Sequence, residues 1–134
     1  MIKITFCLVR RPDLTREEFL SYWYEKHAPL MLRVKDIIHC RRYIQTHSFP
    51  PEMSEPMRSS RGGPPGYDGV AEAWYDSFED RAKTRQDPTA AAAAAEAGRL
   101  LVEDEKNFID LARSPLWWGE EKVIIAGDAA HFFG

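Results

Sequence analysis

The stretch Glu17–Met31, "EEFLSYWYEKHAPLM", decides how this chain is read. Phe19, Trp23, His27, Leu30 and Met31 recur at steps of three or four, and Val34 extends the series. That spacing puts them on one face of an amphipathic helix. Thr15 stands just before it, with Glu18 three residues on, which is the signature of a capping box. Pro29 has no N–H to donate and predicts a kink or break just after His27.

Working outward, the period changes from helical to alternating. "IKITFCLVR" places Ile2, Ile4, Phe6 and Leu8 on one face of a strand and Lys3, Thr5, Cys7 and Val9 on the other. "RPDL" turns the chain into the helix. After it, "IIHCRRYIQTH" reads as a second strand, with His39, Arg41, Tyr43, Gln45 and His47 sharing one face. The Pro-, Gly- and Ser-rich segment Phe49–Gly66 is too long for a hairpin turn and reads as a loop. "DGVAEAWYD" is a third strand, with Asp68, Val70, Glu72 and Trp74 opposite Gly69, Ala71, Ala73 and Tyr75. Ser77 carries a second N-cap signature, and Asp87-Pro88 stops that helix. The alanine run Ala90–Ala95 restarts a helix, whose apolar stripe runs on through Leu100, Leu101, Phe108 and Leu111. "EKVIIA", Glu121–Ala126, reads as the fourth strand, with Trp117 and Trp118 covering one end of the fold or a subunit seam. The tail 127–134 ends in Phe132 and Phe133, which are expected to pack on a partner subunit.

The order β-α-β-β-α-β is the ferredoxin-like unit of the α+β class. It predicts a four-stranded antiparallel sheet of strand order 4-1-3-2, with both helices on one face. The small row Gly69, Ala71 and Ala73 suits close helix packing. The opposite face is expected to carry His39, Arg41, Tyr43, Gln45 and His47 beside Asp68, Glu72 and Trp74. Such a face meets water or a second subunit, and two sheets meeting this way form a closed homodimer with a cavity in each half.

The bulk numbers exclude several function classes. The 134 residues fit a single domain spanning 1–134, and 44% hydrophobic residues suffice for a core. A net charge of −3, with dispersed Lys and Arg, gives no electrostatic footprint for nucleic acid. No apolar run reaches membrane-spanning length, and no signal peptide is legible. Cys7 and Cys40 fall on predicted strands that are not neighbours, so they read as reduced thiols in a cytoplasmic protein. GxGxxG, P-loop and GxSxG patterns are absent from the sequence, as are HxH and HExxH, so neither a cofactor nor a metal is expected.

Four segments together resemble the EthD family of the dimeric α/β barrel superfamily. They are "RRPDLTREEFLSYWYEKHAPL" with its F-x-x-x-W-x-x-x-H-A-P pattern, "RRYIQTH", "YDGVAEAWYDSFED" and "LLVEDEKNFID". The resemblance covers most of the chain. Relatives of this fold include cofactor-free monooxygenases, polyketide cyclases, muconolactone isomerases and haem-handling proteins. The long proline-rich loop departs from the family pattern.

His27 matches the histidine of the H-A-P motif, which makes it the leading candidate for a general base. Tyr43 and His47 are candidates for a hydrogen-bond donor and a second acid or base. Asp68 is a candidate for orienting a histidine, as in a catalytic triad. Tyr22, Trp23, His39, Gln45, Glu72 and Trp74 complete the expected substrate-binding set. Glu72 is otherwise expected to pair with Arg41 or Arg42 across strands. The resemblance thus implies a cofactor-independent enzyme for a small apolar aromatic, polyketide-like or alicyclic compound. Proton abstraction would lead to a lyase or isomerase reaction. A monooxygenase using the same pocket, and a non-catalytic binding protein for a small molecule or haem, are the alternatives.

Overall fold

In a computed structural model describing residues 1–128, strand β1 (Ile2–Leu8) leads into helix α1 (Arg16–Tyr22). The Thr15 hydroxyl accepts from the Glu18 amide, and the Glu18 carboxylate accepts from the Thr15 amide, so the capping box forms. A π-helical turn, Trp23–His27, joins α1 to α2 (Ala28–Val34).

Of the kink or break expected just after His27, the break does not occur, and the helix is irregular only through this π turn. The Ala28 amide reaches back to the Trp23 carbonyl, and Pro29 then sits in the first turn of α2, where no N–H is required. The wider turn keeps Trp23 and His27 on the buried side, 1% and 5% exposed.

Helix α2 ends in a Schellman cap. The Cys40 amide donates to the Lys35 carbonyl and the His39 amide to that of Asp36, with His39 left-handed at φ 59°. The second strand therefore begins later than its sequence pattern implied. Strand β2 is Arg42–His47, and both His39 and Cys40 lie outside it. The proline-rich segment holds a short 3₁₀ turn (Pro51–Met53) and helix α3 (Glu55–Ser59), then β3 follows (Gly69–Tyr75).

Ser77 caps helix α4 (Phe78–Thr84) and Asp87 caps helix α5 (Pro88–Glu105). The last strand of the sheet, β4, is Leu116–Gly119 rather than Glu121–Ala126. Trp117 lies opposite Thr5 and Trp118 opposite Ile4, and the Trp118 ring packs edge-on against Tyr75 and Phe78. These aromatic contacts outweigh the higher β-propensity of "VIIA". Val123, Ile124 and Ile125 are left exposed. The expected docking of Phe132 and Phe133 lies outside the described residues.

The sheet order is β2-β3-β1-β4, all neighbours antiparallel, which is the expected 4-1-3-2 order. The register corrects one face. Tyr43 lies opposite Ala73, Gln45 opposite Ala71 and His47 opposite Gly69. Directly opposed residues point the same way, so Tyr43, Gln45 and His47 lie on the helix side. The other face carries Lys3, Thr5, Arg42, Ile44, Glu72, Trp74 and Trp117.

Two apolar clusters lie between helices and sheet. One gathers Met31, Val34 and Ala97 against Ala73 and Tyr75. The other gathers Leu8, Phe19, Trp23, Phe108 and Ile109. Gly69 joins sheet to helix: a Cβ there would collide with the Trp23 ring, lie 2.9 Å from its Cη2 and stand 3.1 Å from the Thr46 carbonyl. The backbone of β3 thus touches the indole face. Gly69→Ala is expected to cost about 1–3 kcal/mol through overpacking, read as a lower urea midpoint at unchanged m-value.

Candidate active site

His27 is held between α1, α5 and the sheet. Its Nδ1 donates to Asp104 Oδ2 at 2.7 Å. The other oxygen, Oδ1, accepts from the Tyr22 hydroxyl at 2.6 Å, and Asn107 Nδ2 donates to Tyr22 Oη at 3.1 Å. Burial pushes the Asp104 pKa up, but hydrogen bonds from Tyr22, His27 and Asn107 outweigh it and leave a carboxylate below its ordinary range. A carboxylate only accepts, so the His27 proton belongs on Nδ1. For His27, burial lowers the pKa and outweighs the upward pull of Asp104. The result is a neutral imidazole whose Nε2 carries a lone pair. The Phe108 ring, fully buried, packs 5.2 Å from the imidazole and fixes its plane.

His27 lines a partly open cavity of about 140 Å³ between the helices and the helix-facing side of the sheet. Its walls are mostly apolar, including Phe6, Trp23, Met31, Leu101 and Ile109. Tyr43, Tyr75 and Glu105 supply the other polar groups. Burial pushes Tyr75 to about 12, which keeps it a phenol at neutral pH, and burial raises Tyr43 as well. Burial, followed by the charge of Asp104, pushes Glu105 up to about 7. A base, phenolic donors and a carboxyl around one apolar space are the parts needed to move a proton on a bound molecule.

A larger groove of about 740 Å³ runs along the edge strand β2 and the outer side of α1 and α2. Gln45 and His47 line it, and Met31 and Tyr43 line both spaces, so these two side chains form the partition. The His47 ring stacks on Trp23 with centroids 4.7 Å apart, and its Nε2 lies 2.8 Å from Gln45 Oε1. Gln45 Nε2 donates to the Trp23 carbonyl at 3.0 Å and to Tyr43 Oη at 3.2 Å. Gln45 thereby braces the π turn that carries His27. The groove is larger, but His27 and Glu105 both line the smaller cavity, which makes that cavity the candidate site.

The remaining expected site residues lie elsewhere. Tyr22 donates to Asp104 and is not in the cavity wall. Asp68 is held by the Arg10 guanidinium at 2.6 Å and by the Arg10 amide at 2.9 Å, outside the cavity. His39 lines a small separate cleft beside Arg81 and Arg85. Glu72 and Trp74 are on the far face of the sheet. Glu72 pairs with Lys3, not with Arg41 or Arg42; Arg41 instead takes Asp76. Trp74 is flanked by Lys3 and Arg42, and its indole N–H donates to Glu121. Asp104 and Glu105 were missed by sequence reasoning. Their traces are the acidic run Glu103–Glu105 at the end of a helix, which looks like a solvated face, and its place in the "LLVEDEKNFID" segment of the family resemblance. Among the described residues, His, Cys, Asp and Glu form no group of three or more that could hold a metal ion.

Residues 11–112 match the EthD domain. The chain belongs to the EthD family. An EthD family protein from Bacillus halodurans C-125 superposes with a TM-score of 0.55 at 20% identity, covering 91% of this chain and 100% of its own. An EthD-like protein from Ralstonia eutropha JMP134 gives 0.54 at 19% identity, over 93% and 95%. A dimeric protein of unknown function and ferredoxin-like fold from Bacteroides fragilis gives 0.52 at 12% identity, over 90% and 95%. At these identities the likeness is one of fold, and the Bacteroides fragilis protein's fold is the ferredoxin-like one seen here. No helix among the described residues is long and apolar enough to cross a membrane.

Proposed function

We propose that this EthD protein is a cofactor-independent enzyme that removes a proton from a small, mostly apolar molecule, leading to a lyase or isomerase reaction. The observation that carries the reading is the His27–Asp104 pair in the wall of an apolar cavity. Asp104 fixes the tautomer and stabilises the imidazolium that forms, while Nε2 accepts the proton. The cavity walls are mostly apolar, which strengthens these electrostatic terms. An apolar cavity of about 150 Å³ takes up a benzene ring, so a single six-membered ring sets the expected size. Larger polyketide-like compounds require Tyr43 and Met31 to move aside. The oxygenase reading begins with the same proton removal.

The protein acts as a homodimer in this reading. The far face of the sheet supports it: Ile44 and Trp117 stand there among Arg42, Lys3 and Glu72, a mixed apolar and charged surface suited to a second copy. The Bacteroides fragilis relative is described as dimeric.

A thermal-shift screen against phenols, cyclic ketones, aromatic acids and haem, run beside His27→Ala, tests the proposal. A ligand at about 100 times its Kd adds about 2.7 kcal/mol, a shift of several degrees. The expected result is a phenol or ketone that shifts both proteins. A response to haem alone, lost in His27→Ala, would make this a haem-binding protein and end the base reading.

A further inference from the structure

Glu105 is the last residue of α5, one position beyond the Asp104 that holds His27. The other acids of α5 are all partnered: Glu96 with Arg99, Glu103 with Lys106, and Asp104 with His27 and Tyr22. The Glu105 carboxyl makes no hydrogen bond or ion pair among the described residues, and it lines the same cavity as His27. A leucine or methionine there would line the wall without a desolvation cost, whereas a half-buried carboxyl with no protein partner is free to meet a molecule in the cavity. Among the described residues, the groups facing the cavity that titrate are Glu105, His27, Tyr43 and Tyr75, with Asp104 behind His27, and no lysine or arginine lines it. The negative end of the α5 dipole also disfavours a charge on Glu105.

We infer that Glu105 is a second catalytic residue, the acid that meets the oxygen of a neutral, enolisable ring ketone while His27 removes the α-proton. The inference rests on the base role proposed above for His27. The Cα–H bond breaks and its proton goes to His27 Nε2. The C–H electron pair becomes the C=C bond of the enol. The C=O π bond breaks, its electron pair takes the proton of Glu105 to make the enol hydroxyl, and the broken Glu105 O–H bond leaves a carboxylate. The reverse transfers, to the same or a conjugated carbon, return the ketone or its isomer with no oxidant or reductant consumed. Without a facing cation, the cavity selects against carboxylate substrates, and aromatic acids are expected to bind more weakly than their neutral counterparts. Half-protonation near neutral pH, from the burial of Glu105, suits an acid that must donate and recover a proton in each cycle.

Cyclohexanone in D2O is the probe, with two readouts. NMR follows exchange of its α-protons, and isotope-edited infrared follows its carbonyl stretch when bound. The variants are Glu105→Gln, which keeps a donor but no acidic proton, and Glu105→Met, which keeps neither. We expect a red-shifted carbonyl in wild type and Glu105→Gln, and an unshifted one in Glu105→Met. Exchange should fall about 100-fold or more in both variants. Wild-type exchange in Glu105→Gln, or a carbonyl stretch that Glu105→Met leaves unchanged, overturns the inference. An unshifted carbonyl in wild type does so too. If wild type shows the Glu105-dependent shift but no exchange, the ketone contact stands and the base role of His27 falls. If His27→Ala abolishes exchange and Glu105→Gln does not, His27 stands and Glu105 falls.

Discussion

Phe108→Ala is expected to lose about 3–5 kcal/mol of folding stability, the largest effect of any single substitution considered. Phe108 is fully buried and follows α5, where the chain turns back toward the sheet. Its ring meets Phe19 at 5.6 Å, Tyr22 at 5.0 Å and His27 at 5.2 Å. Truncation opens a cavity where the core and the His27–Asp104 pair adjoin. Urea unfolding should show a lower midpoint at unchanged m-value. Phe108→Leu should recover most of the loss because it retains most of the volume. A loss below about 1 kcal/mol for Phe108→Ala would mean that the site collapses freely around the gap.

The second large effect is a pH dependence carried by Glu105. Its folded pKa, about 7, stands above the ordinary 4.5, so the folded protein holds a proton that the unfolded chain has released. Stability falls with pH wherever the native state binds more protons. The Glu105 contribution is therefore fully present below about pH 4.5, is lost through about pH 7 and is flat above. The loss amounts to about 2–3 kcal/mol after allowance for its partial exposure. His27 and Asp104, both held below their ordinary values, have the opposite sign and lose stability as pH falls. Comparing Glu105→Gln with wild type cancels those two. The variant should gain on wild type by that amount between pH 4.5 and 8. A difference constant with pH would show that Glu105 is an ordinary carboxylate.

Much of the fold was legible because its signals are local. Thr15 and Ser77 announced their helices through the amides they cap, and alternation marked β1 and β3. The errors arose where distant contacts decide. "EKVIIA" has the stronger strand pattern, but Trp117 and Trp118 win the sheet edge through Tyr75 and Phe78, more than thirty positions back in the chain. The start of β2 was read through His39, because alternation continues across a residue whose backbone is left-handed. That extension did not alter which residues share a face of β2; the register against β3 decides on which side of the sheet that face lies. Only the pairing of Tyr43 with Ala73 places Tyr43, Gln45 and His47 under the helices.

In the site, His27 and Trp23 were legible from helical spacing and from the H-A-P motif. Asp104 was not, since it meets His27 from a helix 77 positions later in the chain. Asp68 is the candidate the sequence offers for orienting a histidine, and Glu72 the one it offers for a cross-strand ion pair. Arg10 and Lys3, however, claim them first.

The most direct test of the central claim is the protonation state of His27, read by ¹⁵N–¹H NMR correlation across its ring with His27→Gln for assignment. The account predicts a neutral ring at pH 7, with the proton on Nδ1, hydrogen-bonded to Asp104, and a bare Nε2 facing the cavity. A proton on Nε2, or an imidazolium at pH 7, would contradict it, because His27 would then have no lone pair with which to take a proton from a bound molecule.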